Sequence, residues 1–192
     1  MRLLLIGAPG SGMGTQAVRL AERFGITHIS SGDLLRQHVR DLTPIGQTIK
    51  EYVDAGDLVP DSVVMDMLYK PVLAATEQGG YVLDGFPRTV EQAEAAYDVA
   101  HKLGAEVKAS IHLDVPNDEL VRRLLARSRG SEDSAEVIEH RLQVYREKTV
   151  PLLDYYARRE WLVTVDGTQS EEDVHESIAR QVSALAPPAS VD

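Results

Sequence analysis

The chain has no cysteine, which removes disulfides, a thiolate nucleophile and cysteine-ligated zinc from consideration. It has no apolar run near the roughly 20 residues needed to cross a bilayer. The first such run, Leu3 to Ile6, stops at Gly7 and reads as a strand rather than a signal peptide. The six histidines show no H-x-x-x-H spacing, and no serine–histidine–acid arrangement is present, so each histidine is expected on the surface or satisfied in the core. Cations are in deficit: 20 Lys and Arg stand against 30 Asp and Glu, a net charge of −10. That balance argues against a nucleic-acid surface, which needs clustered positive charge. No repeat of 20 to 50 residues is visible. A cytoplasmic protein with neither a membrane nor a nucleic-acid partner is the expectation.

With 192 residues, 43% hydrophobic and 26% charged, the chain suits a single domain with a substantial core. Its most informative stretch is Met1 to Gln16, MRLLLIGAPGSGMGTQ. A buried strand ends at Gly7, glycines recur at Gly10, Gly12 and Gly14, and a helical pattern begins at Gln16. Free backbone N–H groups in such a turn, backed by the positive end of a helix, form an anion cradle. The spacing approaches G-x-x-x-x-G-K-[ST] with Thr15 as the hydroxyl residue, suited to Mg²⁺. Met13 stands where that pattern has lysine.

Further on, residues 26–29 read as a strand, and Ser30 to Asp33 offer a cap for the next helix. Pro44 and the Val59–Ser62 stretch open two more helices, making an insertion of three helices between strands. Tyr81 to Asp84 form a strand, Thr89 caps a helix to about Leu103, and residues 107–115 alternate into another strand. One long helix is expected to carry Val137 through Tyr156. Residues 161–165 form the last strand, Val174 to Leu185 a closing amphipathic helix, and residues 187–192 a frayed tail. Strands alternating with helices imply a doubly wound α/β fold, a five-stranded parallel sheet covered on both faces, with ligands at the carboxyl ends of the strands.

Several polar groups fall at those ends. Asp84 could hold Mg²⁺ through water, or cap the following helix; Arg88 supplies a planar fork for a phosphate, or a solvated surface charge. Arg36 lies one turn from a capped helix start that favours anions. Arg123 and Arg127 share one helix face at i, i+4, with Arg129 in a polar break and Arg141 on the next helix. Four arginines around one short segment suggest a closing clamp on a small polyanion. Glu132 and Asp133 either pair with those arginines or solubilise the loop and cap the next helix.

The motifs GAPGSGMGTQ (7–16), ISSGDLLR (29–36), AGDLVPD (55–61), DGFPRTVEQA (84–93), RLLARSR (123–129) and VDGT (165–168), with HRLQVYREKTVPLLDYY (140–156), run in one order. Together they resemble the adenylate kinase family of the short-lid bacterial kind, over nearly the whole chain. The resemblance implies Mg²⁺-dependent phosphoryl transfer from ATP to AMP by a single P-loop kinase domain, 1–192, that acts as a monomer. Residues 30–59 would be the monophosphate-binding insertion, and 126–134 a short lid. Gly10, Ser11, Gly12, Met13, Gly14, Thr15, Arg123, Arg127 and Gly167 would hold ATP. Ser31, Arg36, Asp57, Leu58, Val59, Gly85, Phe86, Pro87, Arg88, Gln92, Arg129 and Arg141 would hold AMP. Arg88, Arg123, Arg129, Arg141 and Asp84 would serve catalysis, with Thr15 and Asp84 (through water) toward Mg²⁺. The family also has a cis bond before the proline matching Pro87, and Gln92 favours adenine over pyrimidine acceptors. Three departures stand out. Ser31 replaces the usual threonine, the Gly130–Asp133 segment differs from the lid of relatives, and Met13 replaces the loop lysine. Without that charge, transfer is expected to slow by roughly a hundred- to a thousandfold. A catalytically silent nucleotide binder and a kinase for another monophosphate are the alternatives.

Overall fold

The structure, a computed structural model, describes residues 1–127, 129–159 and 161–185; the tail expected at 187–192 lies outside them. The elements run β1 (Arg2–Gly7), α1 (Met13–Phe24), β2 (Thr27–Ser30), α2 (Ser31–Arg40), α3 (Pro44–Ala55), α4 (Asp61–Glu77), β3 (Tyr81–Asp84) and α5 (Val90–Lys102). They continue with β4 (Ala109–Asp114), α6 (Asn117–Arg127), a 3₁₀ turn (Gly130–Asp133), α7 (Ala135–Val144), a π turn (Tyr145–Thr149), α8 (Pro151–Ala157), β5 (Leu162–Asp166) and α9 (Glu171–Leu185).

The five strands pair in the order β2-β3-β1-β4-β5, all parallel. The strand order reverses at β1, and a crevice opens there at the carboxyl ends, where such sheets bind ligands. Register then decides which residues meet at that edge: Leu5 lies opposite Asp84, and Asp84 opposite Ser30. Alternation along β1 divides the core. Leu3 and Leu5 pack with Ala17 and Leu20 of α1 and Ile178 of α9. Leu4 and Ile6 pack on the other face with Leu68 of α4, Ala93 of α5, and Leu152 and Tyr156 of α8. Each fully buried leucine contributes about 1.5–3 kcal/mol relative to exposure, so the central strand is the best-anchored part of the site. A third apolar cluster, with Leu120, Leu124, Ile138 and Leu142, ties α6 to α7.

The helix starts follow the sequence. Ser30, Thr43 and Thr89 each accept a backbone N–H three residues on, from Asp33, Gly46 and Gln92, at 3.3, 3.0 and 3.1 Å, satisfying donors that the first turn leaves free. Two expectations need correction. Residues 107–115 do not alternate: the strand is Ala109–Asp114, with Ala109 to Leu113 all buried, because helices cover both of its faces. The long helix expected from Val137 to Tyr156 is broken. The π turn separates α7 from α8, and Pro151, lacking an N–H, opens the second piece.

Candidate functional site

The loop between β1 and α1 reaches the helix through two left-handed glycines, Gly10 at φ 89° and Gly12 at φ 97°. Gly12 is the N-cap of α1, and no side chain caps it. The first-turn N–H groups of Met13, Gly14 and Thr15 therefore have no intrahelical acceptor, and the helix dipole adds positive potential at the same place. Ser11 is buried at 3% exposure and its hydroxyl has no partner among the described residues. An orphaned hydroxyl beside free N–H groups is the signature of a cradle built for an anion. Met13 packs its side chain against the apolar cluster beneath α1 and also lines the cleft.

Asp84, 7% exposed, closes β3 at the floor of the same cleft. Its two oxygens face His28 Nε2 at 2.5 Å and the Ser30 hydroxyl, which donates at 3.0 Å. His28 was expected on the surface or in the core; parallel register instead delivers it to the cleft, since it sits two residues before the strand end. Gly85 takes φ 77°, and a Cβ there would come within 2.6 Å of the Ser31 hydroxyl. Only glycine lets the chain pass this close. The Ser31 hydroxyl is buried and without a partner among the described residues. The Phe86–Pro87 bond is cis, as the resemblance implies.

Arg88 is fixed along its length. Its Nε donates to the Gly85 carbonyl at 2.8 Å, its backbone N–H donates to Gln92 Oε1 at 2.8 Å, and its carbonyl accepts from the Thr149 hydroxyl at 2.9 Å. The other arginines are held by carboxylates. Arg36 meets Asp33 at 2.5 Å and Glu132 at 3.5 Å; Arg123 donates to Glu119 at 2.6 Å and to the Gly167 carbonyl at 3.0 Å. Arg127 makes a two-pronged pair with Asp133 at 2.9 and 2.6 Å, and the Arg129 backbone N–H donates to the same carboxylate at 2.8 Å. Arg141 donates to the Glu132 carbonyl at 3.2 Å. Of the two roles open for Glu132 and Asp133, the structure shows pairing with arginines; the next helix is capped by Ser134.

For three of the arginines the nearby carboxylates do not offset burial. Loss of hydration, then the charge of neighbouring guanidiniums, pushes Arg88, Arg129 and Arg141 below the ordinary arginine value, with Arg141 brought to about 10. For Arg141 the second cause is Arg127, and for Arg88, after the favourable field of Asp84, it is Arg36. Positive groups that raise each other's energy in a common cavity are stabilised by a polyanion placed among them.

Two connected spaces receive the candidate residues. A cleft of about 400 Å³ is lined by residues 9–15, Asp84, Pro87 and the side chains of Arg36, Arg88, Arg123, Arg127, Arg129 and Arg141. A slot of about 60 Å³ beside it is lined by Ser31, Asp57, Leu58, Val59, Phe86 and Gln92 among others. Gly85 borders both. Of the residues assigned from sequence to a nucleotide or to catalysis, Gly167 alone lines neither and meets the site through its carbonyl. Sequence reasoning missed His28, Asp61, Glu119 and Thr149, which act through other residues and belong to no phosphate motif. For a hard cation, Thr15 and Asp84 offer two oxygens, and no group of three His, Cys, Asp or Glu gathers among the described residues. That donor set fits Mg²⁺, which keeps water and substrate phosphate for most of its ligands.

A family model described as "Adenylate kinase" matches residues 5–161. Adenylate kinase 1 of Nostoc sp. is 46% identical over 173 residues, 90% of this chain and 94% of that protein. The adenylate kinase of Trichodesmium erythraeum is 43% identical over 190 residues, covering 96% and 99% of the two chains, and that of Nocardia farcinica 44% over 180 residues, covering 94% and 98%.

Proposed function

The chain belongs to the adenylate kinase family, and from that premise, as a phosphotransferase acting on nucleoside monophosphates, we propose that it moves the γ-phosphoryl group of ATP to AMP, giving two ADP. The observation that carries this reading is the pairing of an anion cradle at α1 with a second, separate slot at Gln92, joined by one set of arginines. A protein that merely binds ATP has no use for the second slot.

In this reading, residues 10–15 hold the donor phosphates, and Arg123 and Arg127, with Gly167 behind Arg123, hold the donor nucleotide. Ser31, Arg36 and Arg88 hold the acceptor phosphate, while residues 57–59, Phe86, Pro87 and Gln92 enclose its base. An AMP phosphate oxygen forms the new bond to γ-phosphorus as the bond to the β-phosphate oxygen breaks. Little covalent help is needed, so alignment and charge stabilisation by Arg88, Arg129 and Arg141 supply most of the acceleration. Mg²⁺, when bound near Thr15 and Asp84, neutralises donor phosphate charge. His28 and Ser30 hold the Asp84 carboxylate in place. The insertion at 30–59 and the segment at 126–134 close over the substrates to exclude water. Monomeric action in the cytoplasm, on nucleotides rather than nucleic acid or membrane, completes the reading.

Met13 sets the rate. Its thioether fits beside the sheet but cannot follow the transferred charge, so turnover is low and Met13→Lys raises it about a hundred- to a thousandfold. A coupled assay of ADP formation from ATP plus AMP measures both forms. ADP formation requiring both nucleotides supports the proposal, and no ADP above background from either form rejects it. The second reading, a silent nucleotide binder, rests on Met13 and corresponds to binding of both nucleotides without turnover in the parent chain.

A further inference from the structure

Gln92 is 3% exposed and borders the small slot, whose other walls include the apolar Leu35, Val53, Val59, Val64 and Phe86. A flat base suits such a slot, and Gln92 supplies the amide that can read it. Each end of that amide has one partner. Oε1 accepts from the Arg88 backbone N–H at 2.8 Å, and Nε2 donates to Asp61 Oδ1 at 2.6 Å. A backbone N–H can only donate and an ionised carboxylate can only accept, so these two partners fix which end of the amide is oxygen. One N–H and one oxygen lone pair remain for a ligand.

The order of those two groups matters. A 6-amino purine presents an acceptor at ring N1 beside a donor at the 6-position. A 6-oxo purine presents a donor at N1 beside an acceptor at the 6-position, the same pair reversed. An amide free to flip could serve either; an amide fixed at both ends serves one. Asp61 lies outside the slot, exposed at the first position of α4. Resting on the functional reading above, we propose that Asp61 is a positioning residue that holds the Gln92 amide in one orientation and thereby makes the acceptor slot discriminate 6-amino from 6-oxo purine monophosphates.

Calorimetric dissociation constants for AMP and IMP test this without requiring turnover. The chains compared are the parent, Asp61→Ala and Asp61→Asn, each with a thermal melt. Asp61→Ala should lower the preference for AMP over IMP by about tenfold, the worth of one charged hydrogen bond. Asp61→Asn keeps the size but can donate through Nδ2 as readily as accept through Oδ1, so it no longer fixes the amide and should stay within about threefold of Asp61→Ala. An acid serving only the first turn of α4 would change the melt and leave the preference unmoved. An unchanged preference in Asp61→Ala, with AMP bound by the parent, overturns this inference alone. No AMP binding by the parent overturns the functional reading and this inference with it.

Discussion

Arg141 shows how surroundings, more than residue type, set the working range of the site. Its guanidinium is 14% exposed, and dehydration and the nearby Arg127 bring it down to about 10, so it remains a cation throughout the neutral range. A lysine, ordinarily near 10.4, placed in the same surroundings would be lowered too, by the same dehydration and the same Arg127 charge. Activity that needs a cation there would be lost as pH rises through that lowered pKa. Arg141→Lys should therefore show an alkaline limb in its kcat/KM profile that begins at lower pH than any in the parent. The variant also loses the planar fork, so its plateau should lie lower as well. Met13 makes the complementary case. It is half-buried at the first turn of α1 against the apolar cluster under that helix, and a lysine stem can cover the same surface while its ammonium enters the cleft. Met13→Lys should shift the melting midpoint by no more than about 2 °C, corresponding to roughly 0.5 kcal/mol, which separates its gain in turnover from any gain in folding.

The π turn links the core to the cleft at the scale of an element. An uninterrupted helix from α7 into α8 would rotate Thr149 away from its present neighbour; the extra residue in the turn places its hydroxyl on the Arg88 carbonyl at 2.9 Å. Thr149→Val keeps the shape but leaves that part-buried carbonyl unpaired. Thermal or urea unfolding should show a loss of about 1 kcal/mol, and AMP should bind less tightly because Arg88 is no longer held from behind. The break itself was not legible in the sequence, where Val137, Ile138, Leu142, Tyr145, Leu153 and Tyr156 suit a continuous apolar face. Pro151 was the available signal, and its missing N–H was compatible with a helix start as well as an interruption. By contrast, the strands, most of the capped helix starts and the phosphate loop were legible because each depends on a few neighbouring residues: an unbroken apolar run on β1, Ser30 and Thr89 ahead of their helices, glycines where the chain turns left-handed. The arginines lining the cleft, Arg36, Arg88 and Arg141, and Gln92 in the slot were legible through motif order. Their supports were not. His28 meets Asp84 through parallel register, and Asp61 meets Gln92 at a separation of 31 in the chain, relations that no local pattern encodes.

Across the whole molecule, negative charge exceeds positive by 10, yet several carboxylates are bound into the fold as anions, and this governs its response to acid. Asp133 has a side chain only 1% exposed. Burial alone would raise its pKa, but the Arg127 bonds, the Arg129 backbone N–H and the fields of Arg127 and Arg141 bring it below the ordinary aspartate value. Asp33, held by Arg36 against a similar burial effect, and Asp166, held by Thr168, are also lowered, and Glu119 is brought to about 2 by Arg122 and Arg123. A carboxylate whose folded pKa lies below its unfolded one stabilises the fold above the unfolded value, near 4, and loses that contribution as pH falls through the folded value. His112 and His175 act in the same direction at higher pH. Dehydration lowers both, so the unfolded chain takes up protons first, and stability begins to decline below about 6.5. The melting midpoint should thus be level from about pH 8 to 7, fall gently toward pH 5 and steeply below 4. Asp133→Asn tests the carboxylate part. It keeps an acceptor for the Arg129 N–H but removes the charge facing Arg127, so it should cost about 1–3 kcal/mol at pH 7. Because this contribution would be absent at every pH, the gap between parent and variant should close as pH falls below 4. A gap that stayed constant into acid would mean that Asp133 supports the 3₁₀ turn by shape, with its charge playing no part.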